Sequence, residues 1–117
     1  MAEDAPNREH PVLAIDRREN GTVVQLGGEL DLYNADQVRA GLADAIAGDP
    51  GRVVVDMSQV EFVDSTALGV LIEARSKLGK DRLALASPQI ETRRALEVSG
   101  LARHLPVHDT VDDALRG

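Results

Sequence analysis

A chain of 117 residues, 43% hydrophobic and 28% charged, is long enough to bury one core, too short for two, and too apolar to remain disordered. Its formal net charge of -7, with no basic run beyond the pairs Arg17-Arg18 and Arg93-Arg94, argues against direct nucleic-acid binding. The absence of cysteine excludes disulfides, thiolate metal sites and cysteine redox switching, and no apolar run approaches the roughly 18 residues of a membrane span, so a cytoplasmic protein without membrane association is expected.

Residues 1–11 carry Pro6, Pro11 and several charges without periodicity, which reads as a flexible N-terminal tail before a single domain over residues 12–117. Val12 to Arg17 and Thr22 to Leu26 are short runs rich in β-branched residues, joined by the turn signal Glu19-Asn20-Gly21 into a hairpin. Gly27-Gly28 is expected to end the second strand. Asn34 then caps a helix whose apolar positions Ala35, Val38, Leu42, Ala45 and Ile46 share a face, and Asp49-Pro50-Gly51 stops it. Val53-Val54-Val55 suits a central strand covered on both faces, with Phe62-Val63 as a brief extension or as packing beneath the sheet.

A helix follows from about Ser65 to Lys77, with Ala67, Val70, Leu71, Ala74 and Leu78 at helical spacing, and Gly79 closes it. Leu83-Ala84-Leu85-Ala86 is a further buried strand. Ser87-Pro88 reads as a cap followed by a first-turn proline, opening a helix with Thr92, Ala95, Leu96 and Ser99 on one face and Gly100 at its end. Leu105-Pro106-Val107 supplies a short last strand, and Thr110 or Asp109 caps a final helix through Leu115. The order β-β-α-β-α-β-α-β-α implies an α/β fold: a mixed, largely parallel sheet of about four to five strands, joined by right-handed crossovers and covered by helices.

The break at Asp64-Ser65-Thr66 carries the most functional information. It puts hydroxyls at a helix start, where free N–H groups and the helix dipole favour an anion. Ser65 is a structural cap on one reading and a place to add and read a phosphate on the other; Asp64 is the competing cap. If Ser65 begins the helix, Leu68, Gly69 and Ile72 fall on its own face, separate from the Ala67, Val70, Leu71 and Ala74 face. That second stripe is a candidate docking surface, Gly69 allowing a partner's backbone close; the alternative is that both stripes are buried. Asp31, in the loop after the second strand, is either a turn residue or part of the same surface.

Three stretches carry a family resemblance. Leu26-Gly27-Gly28-Glu29-Leu30-Asp31, then Val60-Glu61-Phe62-Val63-Asp64-Ser65-Thr66-Ala67-Leu68-Gly69-Val70, then Ser99-Gly100-Leu101 together resemble the bacterial anti-sigma factor antagonists of the STAS domain family, over essentially all of the chain after the tail. Asp-Ser-Thr-x-Leu-Gly is the specific part. Ala67 stands where the family often has Gly, and the 88–99 segment is slightly longer than in some members.

The resemblance implies the STAS fold for residues 12–117, with helices packed mainly on one face of the sheet. It implies that Ser65 is phosphorylated, with Thr66 the rival acceptor, by a partner that is both an anti-sigma factor and a serine kinase. The unphosphorylated form would bind that kinase and free a sigma factor, and a serine phosphatase would reset the phosphorylated form. Partner-binding residues would be Asp31, Asp64, Thr66, Leu68, Gly69 and Ile72. A STAS scaffold subunit of a stress-signalling or lipid-transport complex, without the switch, is the alternative.

Catalysis has little support. The surroundings of Ser65 lack the Gly-x-Ser-x-Gly elbow, and His104 and His108 are not spaced with acids as metal ligands. Gly27-Gly28 is no nucleotide loop, since no Lys follows it. No catalytic residue, metal or cofactor is expected.

Overall fold

The computed structural model describes residues 10–79 and 81–117, so most of the expected tail lies outside the described residues. Pro11, assigned to that tail, is instead buried, and its carbonyl accepts the Gly27 N–H at 3.0 Å. The chain then runs β1 (Val12–Arg18), β2 (Gly21–Leu30), α1 (Ala35–Ala47), β3 (Val53–Val63), α2 (Ser65–Leu78), β4 (Leu83–Ala86) and α3 (Ile90–Ser99). A 3-10 turn at Leu101–Arg103, β5 (Val107–His108) and α4 (Val111–Arg116) complete it. The strands lie in the order β1-β2-β3-β4-β5. β1 is antiparallel to β2 and the other neighbours are parallel, giving the expected mixed, largely parallel sheet.

Alternation along β3 builds two cores of unequal size, because successive strand side chains point to opposite faces. Val53, Val55 and Met57 join a large cluster with Val38 and Leu42 of α1, Val70, Leu71 and Ala74 of α2, and Leu96 of α3. Val54 faces the other way, into a small cluster with Val23, Ala84, Ala86, Ala114 and Leu115. Three helices therefore cover one face and α4 alone covers part of the other.

Several local expectations are corrected. β2 does not stop at Gly27-Gly28 but continues to Leu30, its register against β3 slipping between Gln25 and Gly27 and again between Gly28 and Glu29. Gly28, at φ 77, occupies the left-handed region that glycine tolerates. Residues 53–63 form one 11-residue strand, so Phe62-Val63 is its end and not a separate piece. α3 opens at Gln89-Ile90, two residues later than the Ser87-Pro88 reading, because Ser87 sits at φ 56 and its hydroxyl donates to the Asp109 carbonyl. Thr110, not Asp109, caps α4, its Oγ1 accepting the Asp113 N–H at 3.0 Å.

Candidate functional site

The parallel pairing of β2 with β3, through Leu30 against Val63, delivers two chain exits to the same end of the sheet. One is the 31–34 loop leading into α1; the other is the Asp64 junction into α2. A single side chain joins them. Asp64 is the N-cap of α2, one carboxylate oxygen accepting the Ala67 N–H at 3.0 Å. The other oxygen accepts the Leu32 N–H at 3.1 Å, and the Asp64 N–H donates to the Leu30 carbonyl at 3.0 Å.

Of the two caps that the sequence left open, the Asp64 carboxylate takes the role. That leaves the Ser65 hydroxyl, exposed on the first helical residue, free of a capping duty. The N–H groups of Ser65 and Thr66 open the helix and have no helical carbonyl to reach. An anion on the Ser65 side chain lies at the positive end of the α2 dipole, yet next to the Asp64 carboxylate.

The loop is held by its own polar groups. The Asp31 carboxylate accepts the Tyr33 N–H at 3.0 Å. Asn34, expected as a capping side chain, makes no such bond; it is buried, accepts the Asp31 N–H at 2.9 Å and donates to the Glu29 carbonyl at 2.8 Å. This fastening leaves Leu32 61% and Tyr33 81% exposed. The sequence reading did not single out either one, although two large apolar residues between the turn formers Asp31 and Asn34 were a readable sign of an apolar group kept in solvent.

The proposed second stripe on α2 separates into three environments. Leu68 is buried within the main core, so its place in an exposed docking stripe is corrected. Ile72 is half-buried against the same core. Gly69 is exposed, and a Cβ built there would meet nothing within 4 Å. Thr66 is exposed beside Ser65. The open surface around Ser65 thus comprises Thr66, Gly69 and the Leu32-Tyr33 pair, with half-buried Asp31 and Asp64 between them.

Behind this surface, α1 and α2 are tied by charge. Arg39 Nε lies 3.1 Å from a Glu73 oxygen, Asp36 also pairs with Arg39, and Lys77 pairs with Glu73 at 3.4 Å. The hydrogen bond from Arg39, outweighing partial desolvation, holds the Glu73 carboxyl below its usual range. Hydrogen bonding to Glu73 in turn raises Arg39. Among the described residues no group of three or more His, Asp or Glu is placed to hold a metal, and no helix is long and apolar enough to cross a membrane.

The family model of the STAS domain matches residues 13–114. The anti-sigma-F factor antagonist RsfB of Mycobacterium tuberculosis is 31% identical over 96 residues, covering 81% of this chain and 79% of the relative. The crystal structure of an anti-sigma factor antagonist from Mycobacterium paratuberculosis superposes with a TM-score of 0.81 at 31% identity, over 88% of this chain and 89% of that one. The Bacillus cell fate determinant SpoIIAA in its phosphorylated form gives a TM-score of 0.62 at 25% identity, over 88% and 97% of the two chains. The family match begins inside β1 and ends inside α4, enclosing the sheet junction where Asp64 fastens the 31–34 loop to α2: the chain belongs to the STAS domain family.

Proposed function

We propose that the chain is an anti-sigma factor antagonist whose unphosphorylated form binds an anti-sigma factor serine kinase and so releases a sigma factor. Phosphorylation of Ser65 by that kinase ends the binding, and a serine phosphatase restores it. The observation that carries this reading is the exposed Ser65 hydroxyl at the first position of α2, relieved of capping by Asp64. The antagonist names of the relatives and the phosphorylated state of the SpoIIAA neighbour support it.

The energetics suit a switch. A phosphate adds roughly -1.5 to -2 units of charge at pH 7. Within the free domain the α2 N-terminus favours it by roughly 0.3 to 1 kcal/mol, and the neighbouring Asp64 carboxylate opposes it. Against a docked partner the same dianion has to be desolvated and accommodated. An unpaired interfacial charge costs about 2 to 5 kcal/mol, or roughly thirty-fold to a few thousand-fold in affinity. The domain's role is to be bound and released; it contributes a phosphoacceptor and a surface and catalyses nothing.

Isothermal titration of the kinase with three forms of the protein tests this reading. Wild type and Ser65→Ala are expected to bind alike, and Ser65→Asp to bind at least about tenfold more weakly. Equal affinities for all three would sink the electrostatic account.

A further inference from the structure

β3 outlasts its neighbour. Its pairing with β2 continues to Val63, but its pairing with β4 stops at Asp56 opposite Ala86. The cause lies in the chain after β4: Ser87 turns into the left-handed region at φ 56, and Pro88 has no N–H to donate. The chain therefore leaves the sheet and returns as α3. Part of the vacated edge is covered locally, since Asp56 accepts the Ser58 N–H at 3.0 Å and the Gln89 side chain donates to the Ser58 carbonyl at 3.0 Å. At the end of this edge, Glu61, Phe62 and Val63 line a groove of about 320 Å³ between β3 and α3.

That groove combines features of a strand-binding site. Phe62, 52% exposed, and Val98, 82% exposed, stand on its two walls. Thr92 lines it while only 2% exposed, and its hydroxyl has no hydrogen-bond partner. A buried hydroxyl left unbonded is unfavourable, and a peptide N–H or carbonyl arriving in the groove would give it a partner. Glu61, Glu91 and Arg94 also line it, and among the described residues none of the three belongs to an ion pair. Two carboxylates against one guanidinium leave the rim net acidic.

The geometry points to this groove as a second binding surface, taking an extended segment of another protein that adds to the β3 edge over residues 59–63. Its backbone would pair with β3 along the side turned away from β2, where β4 no longer runs. One aliphatic side chain would sit between Phe62 and Val98, and a neighbouring Lys or Arg would meet Glu61 or Glu91. A second copy of this chain is the poorer occupant: antiparallel self-pairing centred on Glu61 would set Glu61 against Glu61, and like charges directly opposite destabilise a sheet. The proposal stands independently of phosphorylation at Ser65.

Panning a phage-displayed library of linear peptides against the full chain supplies the probe. Enriched peptides are expected to alternate aliphatic and basic residues and to shift backbone amide resonances of residues 59–63 and 91–98. Val98→Arg, at an exposed helix position, is expected to weaken them about tenfold or more, as is N-methylation of alternate peptide amides; Thr92→Val is expected to weaken them less. The proposal is overturned if no peptide is enriched, if the peptides bind Val98→Arg as tightly as wild type, or if the shifted amides lie elsewhere. It is equally overturned if light scattering shows a dimer that Val98→Arg dissociates, which would give the edge to a second copy.

Discussion

Replacing Asp64 with alanine removes two hydrogen bonds at once, to Ala67 N–H at 3.0 Å and to Leu32 N–H at 3.1 Å. Loss of an N-cap side chain costs about 1 kcal/mol, and loss of a further bond to a backbone N–H costs about 1 kcal/mol more, so Asp64→Ala should destabilise by ~2 kcal/mol. Asparagine separates the two contributions. It caps as well as aspartate, but its amide nitrogen is a donor and cannot accept from Leu32, so Asp64→Asn should lose only ~1 kcal/mol. At about 4 °C per kcal/mol for a domain of this size, the alanine variant should melt ~8 °C lower and the asparagine variant ~4 °C lower. Urea titration followed by far-UV circular dichroism, with the slope unchanged between variants, measures both. An asparagine variant within ~0.5 kcal/mol of wild type would refute the bridge to Leu32, and identical losses for the two variants would refute the capping geometry itself.

Four other outcomes follow from particular residues. Gly69→Ala should stabilise α2 by about 0.5 to 1 kcal/mol, since its Cβ meets open space, while weakening kinase binding if a partner backbone approaches there; urea titration and calorimetry read the two effects separately. Thr92→Val exchanges an unbonded buried hydroxyl for a methyl and should be neutral or stabilising by up to about 1 kcal/mol in the same titration. Ser65→Asp, at an exposed position, should stay within about 0.5 kcal/mol of wild-type stability, so that any loss of binding is not a loss of folding. Glu73 is depressed by its Arg39 hydrogen bond. Its stabilising contribution is therefore present above the unfolded-state value and lost as pH falls through the lower folded-state value. The urea midpoints of wild type and Glu73→Gln should differ most near neutrality and converge in acid.

Much of the fold was legible because its helices and buried strands have clean periods. The spacing of Ala67, Val70, Leu71, Ala74 and Leu78 gave α2 its buried face, and Leu83-Ala84-Leu85-Ala86 reads as β4 with all four residues buried. The boundaries that moved were set by tertiary pairing. Gly27-Gly28 looks like a strand end locally, but β3 on one side and the Pro11 carbonyl on the other hold it in the sheet. Val60 and Val63 are buried while Glu61 and Phe62 are exposed, a pattern without strict alternation because the register slips opposite Gly28. In the candidate site, Asp64, Ser65 and Thr66 were readable as a helix start. The burial of Leu68 was not, since helical spacing alone does not say how broad a stripe the sheet and α1 cover. Nor was the bond from Leu32 to Asp64, which joins residues 32 positions apart and exists only because β2 and β3 run in parallel to the same end.

The central claim is that Ser65 is the residue a kinase modifies to end its own grip on this protein. The direct measurement is to incubate the protein with ATP and the anti-sigma factor kinase, locate the phosphate by mass spectrometry, and follow the complex over the same interval by size-exclusion chromatography. A single phosphate on Ser65, absent in Ser65→Ala, with the wild-type complex dissociating as the phosphate accumulates and the alanine complex persisting, is the predicted result. Phosphate on Thr66, or full phosphorylation of Ser65 with the complex intact, would contradict it.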